Sequence, residues 1–143
     1  MSPSRPRRPR HPSPAALRSM ASLALEARER ALARYSGFKV GAALKTRTGE
    51  IVTGCNIENA SYGLTMCAER VAVFKALSEG LSGFEAIVVA ADSKRITAPC
   101  GPCRQILWEF CGDLVVHMVT PRGRSRTWRL RELLPLPFDG GNL

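Results

Sequence analysis

Cys67, Cys100 and Cys103 are three potential thiolate ligands, and Glu69 places a carboxylate two residues after the first of them. The segments that carry them read Cys67-Ala68-Glu69 and Pro99-Cys100-Gly101-Pro102-Cys103. Structural zinc is normally closed by four protein ligands, whereas catalytic zinc keeps three and leaves its fourth position to water. Neither histidine is placed as a fourth ligand, since His11 lies in a proline-rich N-terminal stretch and His117 in an apolar run that reads as a strand. Glu69 is close enough to reach water on such a metal without being a ligand itself, which is where a general acid/base must stand. A purely structural zinc, or a redox Cys-x-x-Cys pair, is the competing chemistry for the same cysteines.

Two further segments precede this pair, and two single residues extend its motifs. They are Tyr35-Ser36-Gly37-Phe38-Lys39-Val40-Gly41-Ala42-Ala43-Leu44, then Gly54-Cys55-Asn56-Ile57-Glu58-Asn59-Ala60-Ser61-Tyr62, then an arginine and a glutamine, Arg70 and Gln105, that extend the two cysteine motifs. Together these motifs resemble the short, three-cysteine cytidine deaminases over about Ala15 to Leu143. The resemblance implies a three-layer α-β-α fold around a mixed sheet of about five strands. It also implies one Zn²⁺ per subunit and a homotetramer with active sites at subunit contacts. The implied activity is hydrolytic deamination of cytidine and deoxycytidine to the uridine nucleosides with release of ammonia, as in pyrimidine salvage.

In that reading Cys67, Cys100 and Cys103 hold the metal. Glu69 takes a proton from water, passes it to ring nitrogen N3 and later helps ammonia leave. The resemblance implies that Arg70 donates hydrogen bonds to ligand sulfurs, offsetting a net charge of about −1 left by three thiolates on Zn²⁺. Gln105 orders the site from behind the ligands. Asn56 and Glu58 lie two residues apart, so an extended backbone points both side chains to one side, and the family's matching pair binds the ribose 3′-hydroxyl. Phe38 matches an aromatic that stacks on the pyrimidine, and Ala68 offers free backbone groups at a helix start. Tyr62 and Phe138 match aromatics near the substrate, Phe138 reaching a neighbouring subunit. The alternatives stay open: Asn56 and Glu58 as turn and surface residues, Phe38 as core, Tyr62 and Phe138 as packing.

Helices and strands must bring these residues together. Strong helix formers from Ala15 to Arg34, with apolar residues at helical spacing, predict a first amphipathic helix. Phe38 to Leu44 and Ile51 to Cys55 flank Thr48-Gly49 and predict a hairpin. A helix from a Thr65 cap would carry Cys67 in its first turn and end at Gly80. Phe84 to Ala91 reads as a strand buried on both faces. A second site helix starts near Pro99 or Gly101 and ends at Gly112, followed by strands over Leu114 to Thr120 and Arg126 to Leu130.

The chain has 143 residues, which fits one domain, read as 15–143. Its formal charge is +9, but Arg5, Arg7, Arg8 and Arg10 concentrate part of that in the first ten residues. Residues 1–14 hold five prolines and read as a solvated, disordered tail, with RNA or anionic surfaces as the minority reading. Nucleic acid is therefore set aside as the main partner in favour of a small nucleoside. Five cysteines are an odd number, and three suit a metal better than disulfides, which points to a reducing, cytoplasmic setting. Cys55 and Cys111 read as buried free thiols. No stretch is apolar for long enough to predict a secretory signal or a membrane span. The competing activities are deamination of another aminopyrimidine nucleoside such as blasticidin S, deamination of RNA or single-stranded DNA, and a non-catalytic zinc module.

Overall fold

The computed structural model describes residues 11–143. Its elements run α1 (Pro14–Arg28), β1 (Val40–Thr46), β2 (Ile51–Cys55), α2 (Ala68–Ser78), β3 (Phe84–Ala91), α3 (Gly101–Cys111), β4 (Val115–Val119), β5 (Ser125–Arg129) and α4 (Leu130–Leu133). The five strands form one mixed sheet in the order β2-β1-β3-β4-β5. Only β3 and β4 pair in parallel, and α3 is the crossover between them. This is the α/β architecture with helices on both faces that the motifs implied.

Alternation along the strands divides the core. Ala43, Ala86, Val88, Ala90, Val115 and Val119 pack beneath α1 with Leu17, Met20 and Ala24. Ala42, Leu44, Ile87, Val89, Val116 and Met118 face the other way, onto α2 and α3 with Ala72, Val73 and Leu107. A strand covered on both faces has no solvent side, which is why every residue of β3 is buried. Two glycines let helices approach the sheet closely. A Cβ on Gly41 would stand 1.9 Å from the Ala24 carbonyl oxygen of α1, and one on Gly54 would stand 2.7 Å from the Ala68 carbonyl oxygen of α2.

The structure moves several expected boundaries. Of the tail read over residues 1–14, residues 1–10 lie outside the described part; Ser13 caps α1 by accepting the Ala16 N–H at 3.0 Å, and the helix starts at Pro14. α1 ends at Arg28 rather than Arg34, because Leu32 is drawn into backbone pairing with the segment after β2: its N–H donates to the Asn56 carbonyl and its carbonyl accepts from Glu58 N–H. β1 starts at Val40 rather than Phe38, since the Asn56 side chain occupies the Phe38 carbonyl and the Val40 N–H. The β1–β2 hairpin turns at Gly49, where φ is +104°. Thr65 does not cap α2. It closes a 3₁₀ turn over Tyr62–Leu64, its hydroxyl accepts the Asn59 N–H, and Cys67 is the N-cap residue instead.

Candidate active site

α2 and α3 begin at the carboxyl ends of β2 and β3, and their first residues meet there. Cys67 is the N-cap of α2 and Cys100 the N-cap of α3, with extended backbone (φ −72°, ψ 152° and φ −65°, ψ 168°), so Cys67 stands one position before the first turn. Neither sulfur makes a side-chain capping bond. Cys103 lies in the first turn of α3 and is buried. The three Sγ atoms lie within 4.8 Å of one another, with Cys67 to Cys100 at 3.9 Å and Cys100 to Cys103 at 3.3 Å. No fourth histidine, cysteine, aspartate or glutamate joins this group among the described residues.

The donor chemistry fits zinc. Soft thiolates select that ion, and three protein donors is the number a catalytic site uses. A hydrogen bond with Cys103 and the Arg70 guanidinium hold the Cys67 thiol down at about 5, while its partner Cys103 is pushed the opposite way by the same hydrogen bond and by burial. Arg70 Nη2 donates to Cys67 Sγ at 3.3 Å from one turn along α2, and its Nε is buried without a partner. Two helix N-termini add positive partial charge at the same point.

Glu69 is 5 % exposed, on the first turn of α2. Burial, and then the Cys67 thiolate, push its carboxyl up to about 7. A carboxyl group poised near neutrality can take and return a proton at physiological pH.

A cleft of about 230 Å³ opens beside these groups. Cys67, Ala68, Glu69 and Cys100 are among the residues that line it, as are Phe38, Asn56, Glu58 and Tyr62. Asn56 and Glu58 both reach this cleft, yet both also support the backbone around it. Asn56 Oδ1 accepts the Val40 N–H at 2.8 Å and its Nδ2 donates to the Phe38 carbonyl at 2.8 Å. Glu58 Oε1 accepts the Tyr35 and Ser36 N–H groups, each at 3.0 Å, and Oε2 accepts the Ser36 hydroxyl. The hydroxyl and amide of Ser36 hold the Glu58 carboxyl below the usual carboxylate range.

Phe138 and Gln105 are not among the residues that line this cleft. Phe138 is 61 % exposed. Gln105 turns its amide to the C-terminal tail, donating to the Phe138 carbonyl at 2.7 Å. Arg104 likewise clips the loops together, through the Pro99 and Leu133 carbonyls at 2.7 Å each. Sequence reasoning did not single out Ser36, Val89, Thr97 or Ala98, which also line the cleft. Ser36 lies inside a quoted motif and Ala98 directly precedes Pro99-Cys100, whereas Val89 carries no local signal because it reads only as core.

Comparison with known proteins gives consistent findings. The family described as the cytidine and deoxycytidylate deaminase zinc-binding region matches residues 15–119. A cytidine deaminase of Halalkalibacterium halodurans is 51 % identical over 121 residues, 84 % of this chain and 92 % of that protein. A probable cytidine deaminase of Dictyostelium discoideum is 51 % identical over 110 residues, 76 % of this chain and 74 % of that one. The solved cytidine deaminase of Burkholderia pseudomallei superposes with a TM-score of 0.83 at 45 % identity, covering 85 % of this chain and 98 % of that one.

Proposed function

The chain belongs to the zinc-binding cytidine and deoxycytidylate deaminase family, and from that premise we propose that it converts cytidine and deoxycytidine to uridine and deoxyuridine, releasing ammonia. One observation carries the reading: a single cleft is lined by Cys67 and Cys100 of the three-thiol metal group and by buried Glu69, together with Asn56 and Glu58, two polar residues suited to a sugar.

Zinc, when bound by Cys67, Cys100 and Cys103, supplies the positive charge that makes water acidic near neutral pH. The protein supplies the rest. Glu69 takes the proton of the attacking water, donates it to N3 of the pyrimidine and then assists departure of the C4 amino group as ammonia. Arg70 keeps negative charge on Cys67 stable through its hydrogen bond. Phe38 borders the cleft as the stacking surface for the base, exposed Tyr62 also lines it, and Ala68 offers backbone at the first position of α2.

Counting donors and acceptors supports the sugar assignment. Glu58 Oε1 already accepts two hydrogen bonds and Oε2 one, which leaves one acceptor position on Oε2. Asn56 Nδ2 has one N–H remaining after Phe38 takes the other. One acceptor and one donor satisfy one hydroxyl, which gives and takes one bond each. The ribose 3′-hydroxyl, present in both cytidine and deoxycytidine, meets that requirement.

Assembly as a homotetramer, with Phe138 reaching a neighbour's cleft, agrees with its exposure and with exposed Leu64 and Leu136. Free thiols at all five cysteines suit a reducing cytoplasm and a salvage role. No helix among the described residues is long and apolar enough to cross a membrane. The direct test is the ultraviolet absorbance change of cytidine incubated with zinc-loaded protein, with Glu69→Gln as the blank. Turnover abolished in that variant is the expected result, and absence of turnover by the zinc-loaded, folded protein would overturn the assignment.

A further inference from the structure

We propose that Ser36 is a positioning residue that ties sugar recognition to placement of the Phe38 ring, a role that rests on the reading of Asn56 and Glu58 as the sugar-hydroxyl site. Its hydroxyl stands between the two. Ser36 Oγ donates its single proton to Glu58 Oε2 and accepts the Phe38 N–H at 2.9 Å. On the far side of Phe38, Asn56 Nδ2 holds the carbonyl at 2.8 Å. Both backbone polar groups of Phe38 are therefore held by side chains that lead directly to the residues facing the sugar.

The turn needs Ser36 less than the coupling does. Gly37, with φ +68°, allows the sharp bend, and its N–H donates to the Ala33 carbonyl at 2.8 Å. The Tyr35 and Ser36 N–H groups remain on Glu58 Oε1 whether or not a hydroxyl is present at residue 36. What the hydroxyl alone provides is the link from Oε2 to the Phe38 N–H. A sugar hydroxyl that donates to Oε2 fixes the same oxygen that orients the Ser36 O–H, and Ser36 Oγ in turn fixes Phe38. One side chain exposed in the cleft thereby aligns both, holding Oε2 in place for the sugar hydroxyl and the Phe38 backbone in place for the base.

The experiment compares kcat and KM for deoxycytidine and for 2′,3′-dideoxycytidine, which lacks the 3′-hydroxyl, in the zinc-loaded wild type, Ser36→Ala and Ser36→Thr. The wild type is expected to favour deoxycytidine. Ser36→Ala should shrink that preference by roughly tenfold, about the worth of one hydrogen bond to a charged group, mainly through KM for deoxycytidine. Ser36→Thr keeps the hydroxyl and should restore the preference. Should Ser36→Ala fail to fold or to retain zinc, Ser36→Cys, nearly isosteric with only a weak S–H donor, supplies the same comparison. Equal fold-losses on both substrates would reduce Ser36 to a structural role and overturn the proposal. A wild type with no preference between the substrates would instead overturn the sugar-site reading, an outcome visible before any change at Ser36.

Discussion

The backbone of Gly54 lies so close to α2 that a Cβ there would stand 2.7 Å from the Ala68 carbonyl oxygen and 2.7 Å from the Ala72 N–H nitrogen. Ala68 directly follows Cys67 and precedes Glu69, so the depth at which α2 sits on β2 sets the position of both. Gly41 is more crowded still, a Cβ there standing 1.9 Å from the Ala24 carbonyl oxygen, but against α1 on the opposite face. Gly54→Ala and Gly41→Ala should each cost about 1–3 kcal/mol through overpacking. Only Gly54→Ala should also weaken zinc retention against a chelator, measured by metal content after dialysis alongside thermal unfolding.

Glu69→Gln preserves size and removes only the exchangeable carboxyl proton. Zinc content and circular dichroism should be unchanged while kcat for cytidine falls by roughly a hundredfold to ten-thousandfold. Near-normal turnover in this variant would end the proton-shuttle mechanism.

Cys100→Ala should lose both metal and activity. Cys111, on the last turn of α3, is the internal control: burial pushes its thiol up to about 12, so it stays protonated near neutrality. Cys111→Ala should keep a full metal complement. In the folded, zinc-loaded wild type, a thiol reagent at neutral pH should leave Cys111 unmodified until denaturant is added.

Arg70→Ala removes the 3.3 Å hydrogen bond to Cys67 Sγ without touching the cleft surface. Zinc affinity or turnover should fall about 10- to 100-fold, in the range found when partners of metal ligands are lost. Competition with a chromogenic chelator reads the first, steady-state kinetics the second.

Deleting residues 1–10 should leave turnover of free cytidine unchanged. Deleting residues 1–14 also takes away Ser13, which caps α1, and should lower stability by about 1 kcal/mol. A chemical denaturation series on the two truncations separates these effects.

Much of this fold was legible because local signals agreed with tertiary demands. Thr48-Gly49 marked the hairpin, the apolar run Ala86 to Ala91 behind Phe84 marked β3, and Gly112 marked the end of α3. The misplaced boundaries share one cause, long-range pairing. Leu32 leaves a helical pattern because Asn56 and Glu58, more than twenty residues away, take its backbone. Thr65 has the chemistry of a cap, yet its hydroxyl is used by Asn59. In the site, the cysteines and Glu69 announced themselves by type and spacing. The second duty of Asn56 and Glu58, holding the segment that carries Phe38 ahead of β1, leaves little mark in the sequence because all but one of their partners there, the Ser36 hydroxyl, are main-chain atoms.

Cys67 and Cys100 occupy positions where serine, threonine or aspartate would ordinarily supply an oxygen to the first free amides of a helix. Their sulfurs are committed to each other's neighbourhood instead. An ion gripping both therefore pins the starting turns of two separate helices at once, and its binding free energy becomes part of the free energy of ordering them. Zinc supply in the cell then sets more than the fraction of molecules able to react. It also sets how firmly α2 and α3 are seated on the sheet, so scarcity should surface first as fraying at these two helix starts, well before the remainder of the domain responds.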